Sequence, residues 1–123
     1  MITVGIDAHK DSYTLVAIDE VGKRVAALTV AARKTGHIRI LERLDEFGMV
    51  KVAVEDCRHL TRALEASLLL AGHQVLRVHT RLMAGMRRSS REPGKSDPID
   101  AEAVARVALR EDNLPTAHLA GPD

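Results

Sequence analysis

Tryptophan is absent from the 123 residues, Tyr13 and Phe47 are the only other large aromatic side chains, and cysteine occurs once, at Cys57. A core made almost without aromatics must be filled by Val, Leu, Ile and Ala, and the 46% hydrophobic content is ample for that and excludes global disorder. One cysteine excludes an intrachain disulfide and a cysteine-based zinc cluster, which fits a reducing compartment and makes the cytoplasm the expected location. No apolar run approaches the roughly 20 residues that cross a bilayer. The opening "MITVGIDAHK" also lacks the basic and then long apolar pattern of a secretory leader, so neither secretion nor a membrane role is expected. The length suits one domain with a real core.

Charge is nearly balanced over the whole chain, at +1, but not along it. The stretch "HTRLMAGMRRSSREPGK" (79–95) holds Arg81, Arg87, Arg88, Arg91 and Lys95 against the single acid Glu92, a local +4 that leaves the remainder at −3. Such a concentration points to a local anion site, with nucleic acid the commonest large anion; a solvated basic loop is the plain alternative.

The hydrophobic pattern changes period along the chain. "ITVGIDA" (2–8) and "SYTLVAID" (12–19) read as a hairpin, and "RVAALTVAA" (24–32) follows the turn "EVGK" as a third strand. From Thr35 to Phe47, Ile38, Leu41, Leu44 and Phe47 recur at steps of three, the mark of an amphipathic helix, which Gly48 closes. "VKVAVED" (50–56) is a fourth strand, "LTRALEASLLLAG" a helix stopping at Gly72, and "HQVLRV" (73–78) a fifth strand. Strand, helix and strand in this half require crossovers and parallel pairing, so the expected fold is α/β, a mixed five-stranded sheet with helices packed against it.

Last comes "GKSDPIDAEAVARVAL" (94–109), a helix that opens on two acids. Asp97 suits the N-cap, Pro98 the first helical position, and Asp100 the positive end of the helix dipole. Capping explains both acids, but two more carboxylates end apolar strands: Asp7 and Glu55. If those strands are parallel neighbours, their acids share one sheet edge, where open α/β folds bind ligands. Four carboxylates brought together repel unless cations neutralise them, and Mg²⁺ or Mn²⁺ with oxygen ligands is the usual device for phosphodiester chemistry. The basic stretch just before Asp97 would then set phosphate-binding arginines beside the metal.

Other polar residues fit plainer roles. His9 and Lys10 lie in the hairpin turn, where solvent is the ordinary partner, although either could touch a phosphate and His9 a metal. Asp56 should point away from Glu55, Glu102 should face elsewhere on its helix than Asp100, and Cys57 should be a small buried residue.

The segments "VGIDAHKDSYTLVAID", "VAVEDCRHL" and "KSDPIDAEAVA" also resemble, in order, the three characteristic blocks of the DEDD transposases, the RuvC-like recombinases of the insertion-sequence-110 group. The likeness runs from about Thr3 to Leu109. It implies an RNase H-like fold and a metal-dependent site for DNA strand cleavage and transfer in which Asp7, Glu55, Asp97 and Asp100 are the four acids, holding Mg²⁺ or Mn²⁺. It implies DNA as the partner, with a guide RNA and a homo-oligomer of the longer protein as further partners; the residues expected to contact nucleic-acid phosphates, Lys10, Arg81, Arg87, Arg88, Arg91 and Lys95, follow from their charge and position rather than from the resemblance. Members of that group continue into a helical dimerisation region and a C-terminal domain carrying a serine thought to attack DNA. Residues 1–112 are therefore expected to be the catalytic domain, incomplete by itself, with 113–123 a tail leading toward the rest. Two rivals remain: a catalytically silent nucleic-acid-binding or dimerisation module of the same fold, and a nucleotide-binding protein of the actin and sugar-kinase type. The second is disfavoured because "DAHKDS" lacks the glycines that let backbone N–H groups approach phosphate.

Overall fold

In the computed structural model, which describes residues 1–56, 58–83 and 97–118, the chain forms five strands and three main helices. The strands are β1 (Ile2–Ala8), β2 (Ser12–Ile18), β3 (Arg24–Ala31), β4 (Val50–Glu55) and β5 (Val75–Val78). The helices are α1 (Lys34–Phe47), α2 (Arg58–Leu70) and α3 (Asp97–Arg110), with a further helical turn at 80–83. One sheet runs in the order β3-β2-β1-β4-β5. Its β1–β2 and β2–β3 pairs are antiparallel, and β1–β4 and β4–β5 are parallel, as the sequence pattern required.

β1 and β2 are buried along nearly their whole length because helices cover both faces of the sheet. On one face Val4, Ile6, Leu15, Val52 and Val54 pack against Ile40 and Leu44 of α1 and Leu64 and Leu68 of α2. On the other, Val16, Ile18, Ala53, Leu76 and Val78 meet Ala101, Val104, Ala105, Val107 and Ala108 of α3. Both early helices end at glycines with left-handed backbone, Gly48 (φ 78°) and Gly72 (φ 93°), where other residues would be strained.

The inward face of α1 differs from the one expected. Ile38 is 48% exposed, while His37, Ile40 and Leu44 are buried. The step-of-three reading drifts off a 3.6-residue helix, and the buried set follows spacings of three and four. His37 is accommodated because its Nδ1 lies 3.0 Å from Ser67 Oγ of α2, its Nε2 lies 3.3 Å from Tyr13 Oη of β2, and its ring stacks on Tyr13. Burial lowers the His37 pKa from its ordinary value and so favours the neutral ring. Nearby, Glu65 of α2 takes two hydrogen bonds, 3.2 and 2.9 Å, from the Arg77 guanidinium of β5.

After α3 the chain turns back to the sheet. Arg77 N–H donates to Pro115 O and Ala117 N–H to Val75 O, both at 2.8 Å, and Thr116 bridges Leu76 in antiparallel fashion. These bonds cover the β5 edge, which would otherwise offer unpaired backbone groups. Among the described residues no helix is long and apolar enough to cross a membrane.

Candidate functional site

Successive side chains of a strand alternate between faces. Val4, Ile6 and Ala8 therefore join the α1/α2 core, while Thr3, Gly5 and Asp7 of β1 look toward α3. β4 alternates in the same way: Val52 and Val54 go to the first core, and Lys51, Ala53 and Glu55 to the α3 face. The parallel register pairs Gly5 with Ala53 and Ile6 with Val54, and its continuation sets Asp7 beside Glu55 at one sheet edge.

Gly5 fixes the height of α3 above that edge. A Cβ there would collide with the Ala101 carbonyl oxygen and the Ala105 backbone nitrogen, so only hydrogen lets the helix backbone lie this close. The far end of α3 is held by Lys51, whose Nζ donates a 2.6 Å hydrogen bond to Ala108 O, one of the carbonyls near the helix end. With both positions set, the first turn of α3 stands over Asp7, and Asp100 joins Asp7 and Glu55 electrostatically.

Asp7 is 3% exposed, and its carboxyl is pushed up to about 7. Burial is the largest cause; the neighbouring His9 opposes it, while the charges of Asp100 and Glu55 and a hydrogen bond with Glu55 raise it further. Oδ2 of Asp7 is buried without a hydrogen-bond partner among the described residues. His9 Nε2 lies 2.9 Å from that oxygen, at ion-pair distance but with angles that do not make a hydrogen bond.

The structure thus brings together three of the four expected acids, Asp7, Glu55 and Asp100. Asp97 begins α3, and its side chain lies outside the described residues. Among the described residues no three His, Cys, Asp or Glu side chains are gathered closely enough to hold a metal ion by themselves. Of the basic residues, Lys10 is exposed at the tip of the β1–β2 turn and Arg81 is exposed in the helical turn after β5; Arg87, Arg88, Arg91 and Lys95 lie outside the described residues. Glu102 belongs elsewhere, paired with Arg24 at 2.8 Å and Arg106 at 3.0 Å. One contributor is not evident from the sequence: Gly5 lies in a run that reads simply as strand. His9, which the sequence leaves in a turn within reach of a phosphate or a metal, is carried by strand alternation to the face of Asp7.

Comparison with known proteins agrees with this architecture. A family model described as a transposase, that of the DEDD type of insertion sequence 110, matches residues 4–120. The chain is 30% identical over 115 residues to the insertion element IS116 uncharacterized 44.8 kDa protein of Streptomyces clavuligerus, a match spanning 93% of this chain but 29% of that relative. Among solved structures it resembles Thermus thermophilus RuvC, with a TM-score of 0.61 and 20% identity over 87% of this chain and 92% of that one. It also resembles T. thermophilus RuvC in complex with a Holliday junction substrate, with a TM-score of 0.62 and 19% identity over 87% and 91% of the two chains. The fold is RuvC-like, and the chain belongs to the DEDD transposase family of the insertion-sequence-110 group.

Proposed function

We propose that this chain carries the catalytic domain of a transposase that cleaves and transfers DNA strands when an insertion sequence moves, within a longer protein; the domain runs past the expected boundary at residue 112, because Pro115 and Ala117 bond to β5. The observation that carries this reading is the Asp7 carboxyl, almost fully buried, with Asp100 and Glu55 raising its pKa. A buried oxygen without a hydrogen-bond partner, next to further carboxylates, fits a hard divalent cation, which would relieve the repulsion. Asp7, Glu55, Asp97 and Asp100 are the residues that would hold Mg²⁺ or Mn²⁺. Such ions supply Lewis-acid help to the attacking and leaving oxygens of a phosphodiester.

The chain's own part is to position. The β1 and β4 backbones fix Asp7 and Glu55, and Gly5 lets α3 bring Asp100 to Asp7. Lys10, Arg81 and the basic residues Arg87, Arg88, Arg91 and Lys95 would hold DNA phosphates near those acids. A guide RNA and a second copy of the longer protein are the further partners of this reading. In the longer protein, Asp7→Asn, Glu55→Gln and Asp100→Asn should each abolish Mg²⁺-dependent strand cleavage of element-end DNA; cleavage retained in all three contradicts the assignment.

A second reading has one observation in its favour, namely that no three described ligating side chains gather closely enough to hold a metal. A catalytically silent nucleic-acid-binding module would bind DNA equally well with and without the acids and would take up no divalent cation.

A further inference from the structure

We propose that His9 is a further metal ligand, joined with Asp7 as an Asp-x-His pair that sets one imidazole nitrogen beside a buried carboxylate oxygen. The inference rests on the metal-centre reading above and adds to it a residue and a metal preference.

Three observations carry it. His9 continues the β1 ladder, its N–H donating to Ser12 O at 2.8 Å, so alternation sends its side chain to the same face as Asp7. Its Nε2 then stands 2.9 Å from Asp7 Oδ2 with angles unsuited to a hydrogen bond. Two ligand atoms at adjacent positions of an octahedral cation are about 3 Å apart, so the spacing matches a shared ion as well as a direct contact. Finally, the Asp7 side chain is 5% exposed and that of His9 40% exposed. The imidazole thus stands at the mouth of the site, between a buried carboxylate and solvent.

An imidazole ligand has a chemical consequence. Carboxylate and water suit Mg²⁺, whereas imidazole nitrogen is taken more readily by first-row transition ions, with affinity rising from Mn²⁺ toward Co²⁺. The site should therefore prefer Mn²⁺ to Mg²⁺, and the preference should depend on His9.

The test is pulsed electron paramagnetic resonance of the Mn²⁺-loaded chain, read for nitrogen modulation of the spin echo, with binding titrations of Mn²⁺ and Mg²⁺ alongside. Wild type should show imidazole nitrogen coupling, and His9→Gln should lose it. The variant should bind Mn²⁺ more weakly by at least about 10- to 100-fold, the loss that changing even an outer-shell partner of a metal ligand typically causes, with a smaller change for Mg²⁺. A melting curve for His9→Gln that overlays wild type shows that folding is kept. Mn²⁺ bound without nitrogen coupling, or coupling that survives in His9→Gln, overturns the proposal and leaves the metal centre standing. Wild type that takes up no Mn²⁺ overturns both.

Discussion

On the face covered by α1 and α2, the sheet presents Val4, Ile6, Leu15, Val52 and Val54, and the helices answer with Ile40, Leu44, Leu64 and Leu68. On the face covered by α3, it presents Gly5, Val16, Ala53 and Asp7, and the helix answers with Ala101, Ala105 and Asp100. The first face is filled by large aliphatic side chains that remove apolar area from water, each worth about 1.5–3 kcal/mol when fully buried. The second trades side-chain volume for closeness: two backbones meet at Gly5, and the same approach brings a helix-borne acid to a strand-borne one. Stability should therefore be lost in different ways on the two faces, with site geometry sensitive on one and insulated on the other.

Gly5→Val should break the comparison most severely. The added side chain has to displace the backbone of α3 at Ala101 and Ala105. The expected cost is about 3 kcal/mol or more, at or beyond the upper end for overpacking, because backbone rather than a flexible side chain must move. Urea unfolding would measure it, and any folded fraction should have lost divalent-cation binding, since Asp100 moves with the helix.

Leu68→Ala is the matched change on the other face. It should cost about 2–5 kcal/mol in the same assay, with cation affinity unchanged in the folded protein. If Leu68→Ala weakened cation binding as much as Gly5→Val, the two faces would not be separable.

Asp7→Asn sharpens the contrast by reversing the sign. With its carboxyl raised to about 7 from an ordinary 3.8, native Asp7 holds a proton over a pH range in which the unfolded chain has released it. The metal-free protein should therefore lose stability as pH rises from about 4 to about 7. Asp7→Asn removes that loss, so at pH 8 the variant should be more stable than wild type by on the order of 2–4 kcal/mol, with little difference at pH 4. Melting temperatures of the two proteins in chelator across that range would show converging curves at low pH. Parallel curves would mean that Asp7 is not strained by burial and like charge.

The sequence showed much of this arrangement because its clearest signals are local. β-Branched runs, turn residues and helix-stopping glycines locate β1, β2 and β3 and the ends of α1 and α2 within a residue or two. The parallel pairing of β1, β4 and β5 follows from the intervening helices. Asp7, Glu55 and Asp100 stand out as acids beside apolar runs, and the fold brings these three together. What was hidden depends on contacts across the sheet. Ile38 reads as core but is exposed, because His37 finds Ser67 and Tyr13, residues from two other elements. Gly5 is an ordinary strand glycine until α3 is seen lying on it. His9 was legible as a turn residue within reach of a metal, but not its side of the sheet, which its backbone bond to Ser12 sets by extending the strand by one position. The docking of Pro115 and Ala117 on β5 carries no local signal, since the strand they cover lies some forty residues earlier.

The central claim is that these acids form one divalent-cation site, and calorimetric titration of the chain with Mg²⁺ and Mn²⁺, wild type against a variant carrying both Asp7→Ala and Glu55→Ala, tests it most directly. The account predicts saturable binding in wild type that disappears in the variant, with the variant still folded because clustered like charges have been removed. Equal binding by the two proteins, weak or strong, would contradict it.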